Sequence, residues 1–214
     1  MNESTGPAES RRFDESLVRR ALDLMVRGRT VLGICGPPGA GKSTLAAEIA
    51  ASIGDSAVVV PMDGFHLHDA ELARLGLSGR KGAPETFDVE GYTALLARLR
   101  DPRGTTAYAP EFDRSRELSV AGAIAVRPEH HLVITEGNYL LYDGLGWAGV
   151  RPLLDEVWFV EGDQETRIER LVARHVAHGK PIELARRWTL SSDEANADLV
   201  TGTRDLADLV VRAG

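Results

Sequence analysis

The run Gly36-Pro-Pro-Gly-Ala-Gly-Lys-Ser-Thr44 sets glycines, a lysine and two hydroxyl residues in the spacing G-x-x-x-x-G-K-[ST]. Gly36, Gly39 and Gly41, with Ala40 between them, let the backbone turn tightly with its N–H groups facing inward, and the dipole of a following helix adds to that anion-binding nest. Lys42 is suited to reach the β- and γ-phosphates of a nucleotide, the Ser43 hydroxyl to ligate the Mg²⁺ that bridges them, and Thr44 to support the loop. The chemistry indicated is binding of ATP with Mg²⁺. A glycine-rich turn that merely precedes a lysine is the bland alternative. It is disfavoured because the chain holds only three lysines.

A second chemical group follows in Pro61-Met-Asp-Gly-Phe-His66, where Asp63 can accept a hydroxyl proton or, equally, cap an Asp-Gly turn. Phe65 and His66 belong to the same rim. Arg167, Arg170 and Arg174 recur at intervals of three and four, so they share a face of a helix. Such a face can close over phosphates, or can form the solvated salt-bridge network usual on exposed helices. No Asn-Lys-x-Asp segment of the kind that reads guanine is present, since Asn138 and Asn196 are followed by Tyr and Ala. A G protein is therefore disfavoured.

These residues need elements to position them. The glycine-rich run lies between an apolar strand, Thr30–Cys35, and a helix over Lys42–Ile53 that Gly54 closes. Ala57–Pro61 is a second buried strand, and Asp63 follows it directly. Further strands are expected at His131–Thr135, ending in Glu136, at Glu156–Val160 and at Ala207–Val211, with a short one at Thr105–Ala109 followed by a charged loop, Glu111–Glu117. Helices are expected over Arg11–Arg27, Val89–Arg100, from Asp163 or Gln164 to His178, and from Pro181 to Asp198. Residues 1–10 read as a disordered start and 11–214 as one domain. Strands alternating with helices predict an α/β fold with a mainly parallel sheet, whose ligands lie beyond the carboxyl ends of its strands.

The ordered segments Gly-Pro-Pro-Gly-Ala-Gly-Lys-Ser-Thr44, Met62-Asp-Gly-Phe-His66, Arg80-Lys-Gly-Ala-Pro-Glu-Thr-Phe-Asp88, Tyr108-Ala-Pro-Glu-Phe-Asp113 and Glu136-Gly-Asn-Tyr-Leu-Leu141 together resemble the phosphoribulokinase, uridine kinase and bacterial pantothenate kinase family. Within it the likeness is to compact bacterial nucleoside/nucleotide kinase-like or candidate fructokinase proteins. The resemblance implies a three-layer P-loop NTPase fold with a helical lid. It makes Asp63 the base on an acceptor hydroxyl and sets Glu136 at the Walker B position, where a carboxylate holds Mg²⁺ or contacts substrate. It also brings Lys81 and Asp88 to a substrate-side loop and one lid arginine, Arg170 or Arg174, to the transferred phosphoryl group.

Tyr108, Phe112, Asp113 and Arg114 form a cluster that can receive a polar small molecule, or a structural turn. The function so indicated is ATP-dependent phosphorylation of an alcohol group on a small molecule, with a lean towards sugars or polyols over nucleosides and pantothenate-like alcohols. The rival is a regulatory or assembly module that hydrolyses ATP without an acceptor. A net charge of −7 argues against nucleic acid or an anionic membrane as partner. Cys35 is the only cysteine, so no internal disulfide can form, and a cytoplasmic protein, monomer or homodimer, is expected.

Overall fold

Residues 14–100 and 105–212 are described in the computed structural model, so the expected disordered segment 1–10 lies outside the described residues. Five strands form one parallel sheet: Thr30–Cys35 (β1), Ala57–Pro61 (β2), Leu132–Gly137 (β5), Glu156–Glu161 (β6) and Leu209–Arg212 (β7), in the order β2-β5-β1-β6-β7. Ala107–Asp113 (β3) and Leu118–Val126 (β4) pair antiparallel as a separate hairpin.

The sheet is covered on both faces because the central stretches of its strands, residues 31–35, 132–134 and 157–160, are apolar at consecutive rather than alternate positions. On β1, Leu32 and Ile34 face one way, joining Ile134, Trp158 and Val160 beneath the helices Glu15–Leu24 (α1) and Lys42–Ile53 (α2). Val31 and Cys35 face the other way, towards Val133, Val157, Phe159 and the helix Val89–Leu99 (α4). Each such side chain contributes roughly 1.5–3 kcal/mol on burial, more than the roughly 0.5–1.5 kcal/mol net of one ladder hydrogen bond. Packing on two faces therefore fixes which strands are central. The result is the three-layer α/β arrangement expected of the sequence.

Three expectations are corrected. Residues 111–113 extend β3 and the tip is confined to Arg114–Glu117, while Leu118–Val126, mixed and only weakly periodic in sequence, is a strand. The long helix expected from Pro181 is divided into Ile182–Trp188 (α6), a π-helical turn Thr189–Asp193 and Glu194–Thr201 (α7). A short helix, Asp69–Arg74 (α3), carries no apolar period long enough to show in sequence. The remaining helix of the cap, Gln164–Ala177 (α5), starts at an Asp163 whose carboxylate accepts from Thr166 N. Among the described residues no helix is long and apolar enough to cross a membrane.

Candidate active site

The carboxyl ends of β1, β5 and β2 lie side by side, since Cys35 pairs with Gly137 and Pro61 with Glu136. Whatever follows each strand must meet over this edge. The loop after β1 leads into α2 through Gly41, which sits in the left-handed region (φ 101°) as N-cap with no capping side chain. The N–H groups of the first turn thus have no side-chain acceptor, which suits a phosphate.

Lys42 is 8% exposed, and its ammonium donates to Pro37 O at 3.0 Å and to Asn138 Oδ1 at 2.8 Å. Both partners are neutral, and among the described residues no carboxylate forms an ion pair with it. A buried cation held only by neutral oxygens fits an anionic ligand. Burial pulls its pKa below the usual lysine range, opposed chiefly by the charge of Glu136.

Ser43 Oγ donates to Glu136 Oε1 at 2.9 Å, so a hydroxyl and a carboxylate oxygen lie together at the loop mouth. These are the hard donors Mg²⁺ takes, in the small number it uses beside phosphate oxygens and water. The residues therefore fit the ion.

Asp63 stands on the single turn Met62–Phe65 after β2. Gly64 is required there, because a Cβ would come within 2.3 Å of Pro110 O, where β3 crosses the turn. Arg114, at the hairpin tip, donates to Asp63 Oδ2 at 2.7 Å. His66 Nδ1 donates to the Asp63 carbonyl at 2.8 Å, and its ring is wedged between Phe87 and Phe112 at centroid distances of 4.1 and 4.7 Å. Burial alone would raise the Asp63 carboxyl, but His66, Arg114, Lys42 and Arg174 outweigh it and hold the group below the usual range. Glu136 moves the other way, raised by burial and by the charge on Asp63. The two neighbouring carboxyl groups are thus shifted in opposite directions, Asp63 down and Glu136 up.

Asp63, Lys42, Ser43, Thr44, Glu136 and Arg114 line one cavity of about 340 Å³, with Gly39, Gly41, His66, Lys81 and Phe112 also on its wall. Arg170 and Arg174 line it from α5, and burial, then the like charge of Arg114, lowers the Arg174 pKa. Lys81 is tied to Asp69 Oδ1 at 2.8 Å and to Glu117 Oε2 at 3.1 Å, so it is no free surface lysine.

Other expected members are not on the cavity wall, Gly36 and Ala40 remaining part of the loop through their backbone. Ala40 turns its side chain into the core, and Gly36 packs under the Val160 carbonyl. Phe65 packs on Tyr92 at 5.1 Å because its position on the turn faces the core. Asp88 caps α4 by accepting from Gly91 N at 2.9 Å, and Asp113 caps the hairpin turn by accepting from Ser115 N at 2.9 Å. Tyr108 is 60% exposed on the hairpin's outer face.

Arg167 does not share the role of its two neighbours. It is buried, donating to Pro38 O at 2.9 Å and to Glu194 Oε1 at 3.0 Å, and so braces the glycine-rich loop against α7. Arg167→Ala is expected to cost about 3–5 kcal/mol, because it strands a partly buried carboxylate. Urea unfolding measures this, and a loss well under about 1 kcal/mol would remove the brace.

Several cavity residues carried no separate signal in sequence. Asn138 sits in the Glu136-Gly-Asn138 segment yet gains its role only from the Lys42 contact. His175 and Asp193, joined at 2.8 Å, and Asn196, which donates to Gly82 O at 3.3 Å, complete the wall from the helical cap.

The family model described as phosphoribulokinase / uridine kinase family matches residues 31–214. An ATP-dependent kinase-like protein of Aspergillus versicolor is 38% identical over 152 residues, covering 67% of this chain and 88% of its own. A candidate uridine kinase of Schizosaccharomyces pombe is 33% identical over 177 residues, covering 78% and 75%. Among solved structures, a candidate fructose transport system kinase from Silicibacter sp. TM1040 superposes with a TM-score of 0.81 at 39% identity, covering 91% of this chain and 98% of that one.

Proposed function

This chain belongs to the phosphoribulokinase / uridine kinase family, a family of small-molecule kinases, and from that premise we propose that it transfers the γ-phosphoryl group of ATP to a hydroxyl of a sugar-like polyol. One observation carries the reading: the carboxyl group of Asp63, paired with Arg114, faces the same cavity as Lys42 and Ser43. A module that only binds and hydrolyses ATP has no use for a second wall opposite its phosphate loop.

In this reading Lys42 neutralises charge on the β- and γ-phosphates, and Ser43 with Glu136 would hold Mg²⁺, which would supply further positive charge for phosphoryl transfer. Asp63 orients the acceptor hydroxyl and takes its proton as the oxygen attacks phosphorus. Arg174, with Arg170, meets the charge that spreads over the transferred group and helps exclude water.

The lean towards a polyol rests on the chemistry of the acceptor wall. His66, Arg114, Lys81 and Glu117 offer hydrogen bonds of both senses, and Phe112, beneath the Lys81 ammonium at 5.4 Å, adds apolar surface. Its cations are already matched: Arg114 lies on Asp63, and Lys81 on Asp69 and Glu117. The wall therefore favours many hydroxyls over a strongly charged acceptor. Release of ADP with D-fructose, ribitol, uridine and pantothenate in turn tests this. Stimulation of about tenfold or more by a sugar or polyol is expected, and no stimulation by any of the four would remove the proposal.

A further inference from the structure

The bond from Arg114 to Asp63 Oδ2 joins groups 51 residues apart, and the hairpin tip that presents Arg114 is fastened on several sides. Asp113 Oδ1 accepts from Ser115 N and Oγ and from Arg116 N, setting the turn. Lys81 Nζ donates to the Glu117 carbonyl at 3.0 Å and pairs with its carboxylate at 3.1 Å. Ser119 Oγ donates to His66 O at 3.2 Å, and Pro110 crosses directly over Gly64. The guanidinium is therefore delivered to the carboxylate by a fixed mount.

The pair is reached by solvent, with Arg114 44% and Asp63 27% exposed. A carboxylate beside a bound triphosphate would serve water as readily as an alcohol. A guanidinium bonded to Oδ2 stabilises the charged carboxylate and so makes it a weaker base, although Oδ1 stays open among the described residues. A partly exposed ion pair of this kind is weak enough for an acceptor to displace.

We propose that Arg114 is a guard on Asp63: it suppresses attack of water on ATP and yields the carboxylate to an acceptor whose own oxygen takes over the guanidinium. The proposal rests on the reading of Asp63 as base. In the suppressed reaction the water oxygen bonds to the γ-phosphorus as the bond to the bridging oxygen of ADP breaks. Its proton passes to Asp63 and then to solvent, leaving ADP and inorganic phosphate.

The test needs no acceptor. ADP release from MgATP is compared for the wild type, Arg114→Gln, Arg114→Lys and Arg114→Gln with Asp63→Asn. Arg114→Gln is expected to raise the rate about tenfold or more, Arg114→Lys less, and the added Asp63→Asn should return it to the wild-type level. A rate unchanged or lowered in Arg114→Gln, or a rise that survives Asp63→Asn, would overturn the guard. Arg114→Met, which keeps the length of the stem, is judged by the same criteria if the glutamine variant melts early. Failure of the underlying kinase reading would look different, as absence of acceptor stimulation in the wild type.

Discussion

Asp63→Asn is expected to lower acceptor phosphorylation by roughly 10²–10⁴-fold while leaving nucleotide affinity close to that of the wild type. Asparagine keeps the shape of the side chain and can still accept from Arg114, so the acceptor wall stays in place. What it loses is the capacity to hold a proton. The effect should fall mainly on the acceptor because Asp63 faces the phosphate loop across the cavity and, among the described residues, its hydrogen-bonded partners are Arg114 and His66 rather than that loop. Comparing kcat/KM for the acceptor with a nucleotide Kd from fluorescence titration separates the two. Unchanged turnover would remove Asp63 from the role of base.

Lys42→Ala is expected to act on the opposite wall. Its ammonium is buried with only the neutral oxygens of Pro37 and Asn138 as hydrogen-bond partners, which leaves it directed at an incoming anion. Removing it should lower kcat by roughly 10²–10³-fold and weaken ATP binding, with only a modest loss of stability because it forms no direct ion pair, although buried Glu136 loses the charge that offsets its own. Kinetics and a thermal melt read the two parts. A variant that bound and used ATP normally would overturn the nucleotide assignment itself.

These two residues were legible in sequence for different reasons. Lys42 belongs to a local pattern whose geometry is set by its own neighbours, and the boundaries Thr30–Cys35, Lys42–Ile53 and Ala57–Pro61 are those expected, because glycines and a proline mark them. Asp63 needed only the end of β2 to place it. Contacts between distant segments were not legible: nothing in Asp113-Arg114 announces a bond 51 residues back, and nothing in Asn138 announces Lys42. The hairpin was hidden for another reason. Leu-Ser-Val-Ala-Gly-Ala-Ile-Ala-Val lacks clean alternation, and its ladder breaks where the pairing shifts between Ala109 and Glu111. Helical spacing grouped Arg167 with Arg170 and Arg174, yet a helix face is wide enough for one end of the row to brace Pro38 while the others reach the cavity.

The strand order also bears on how the chain acquires its activity. β1 and β2 are not hydrogen-bonded to each other; β5 lies between them, pairing Val31 with Val133 on one side and Val58 with Val133 on the other. A nascent chain that has emerged only through its first 131 residues holds the glycine loop and the base but lacks the strand that joins them. Both halves then expose strand edges that await the same late segment. Commitment to a working enzyme is thus deferred until residues 132–137 slot into place, and the parallel, long-range closure this needs is intrinsically slow.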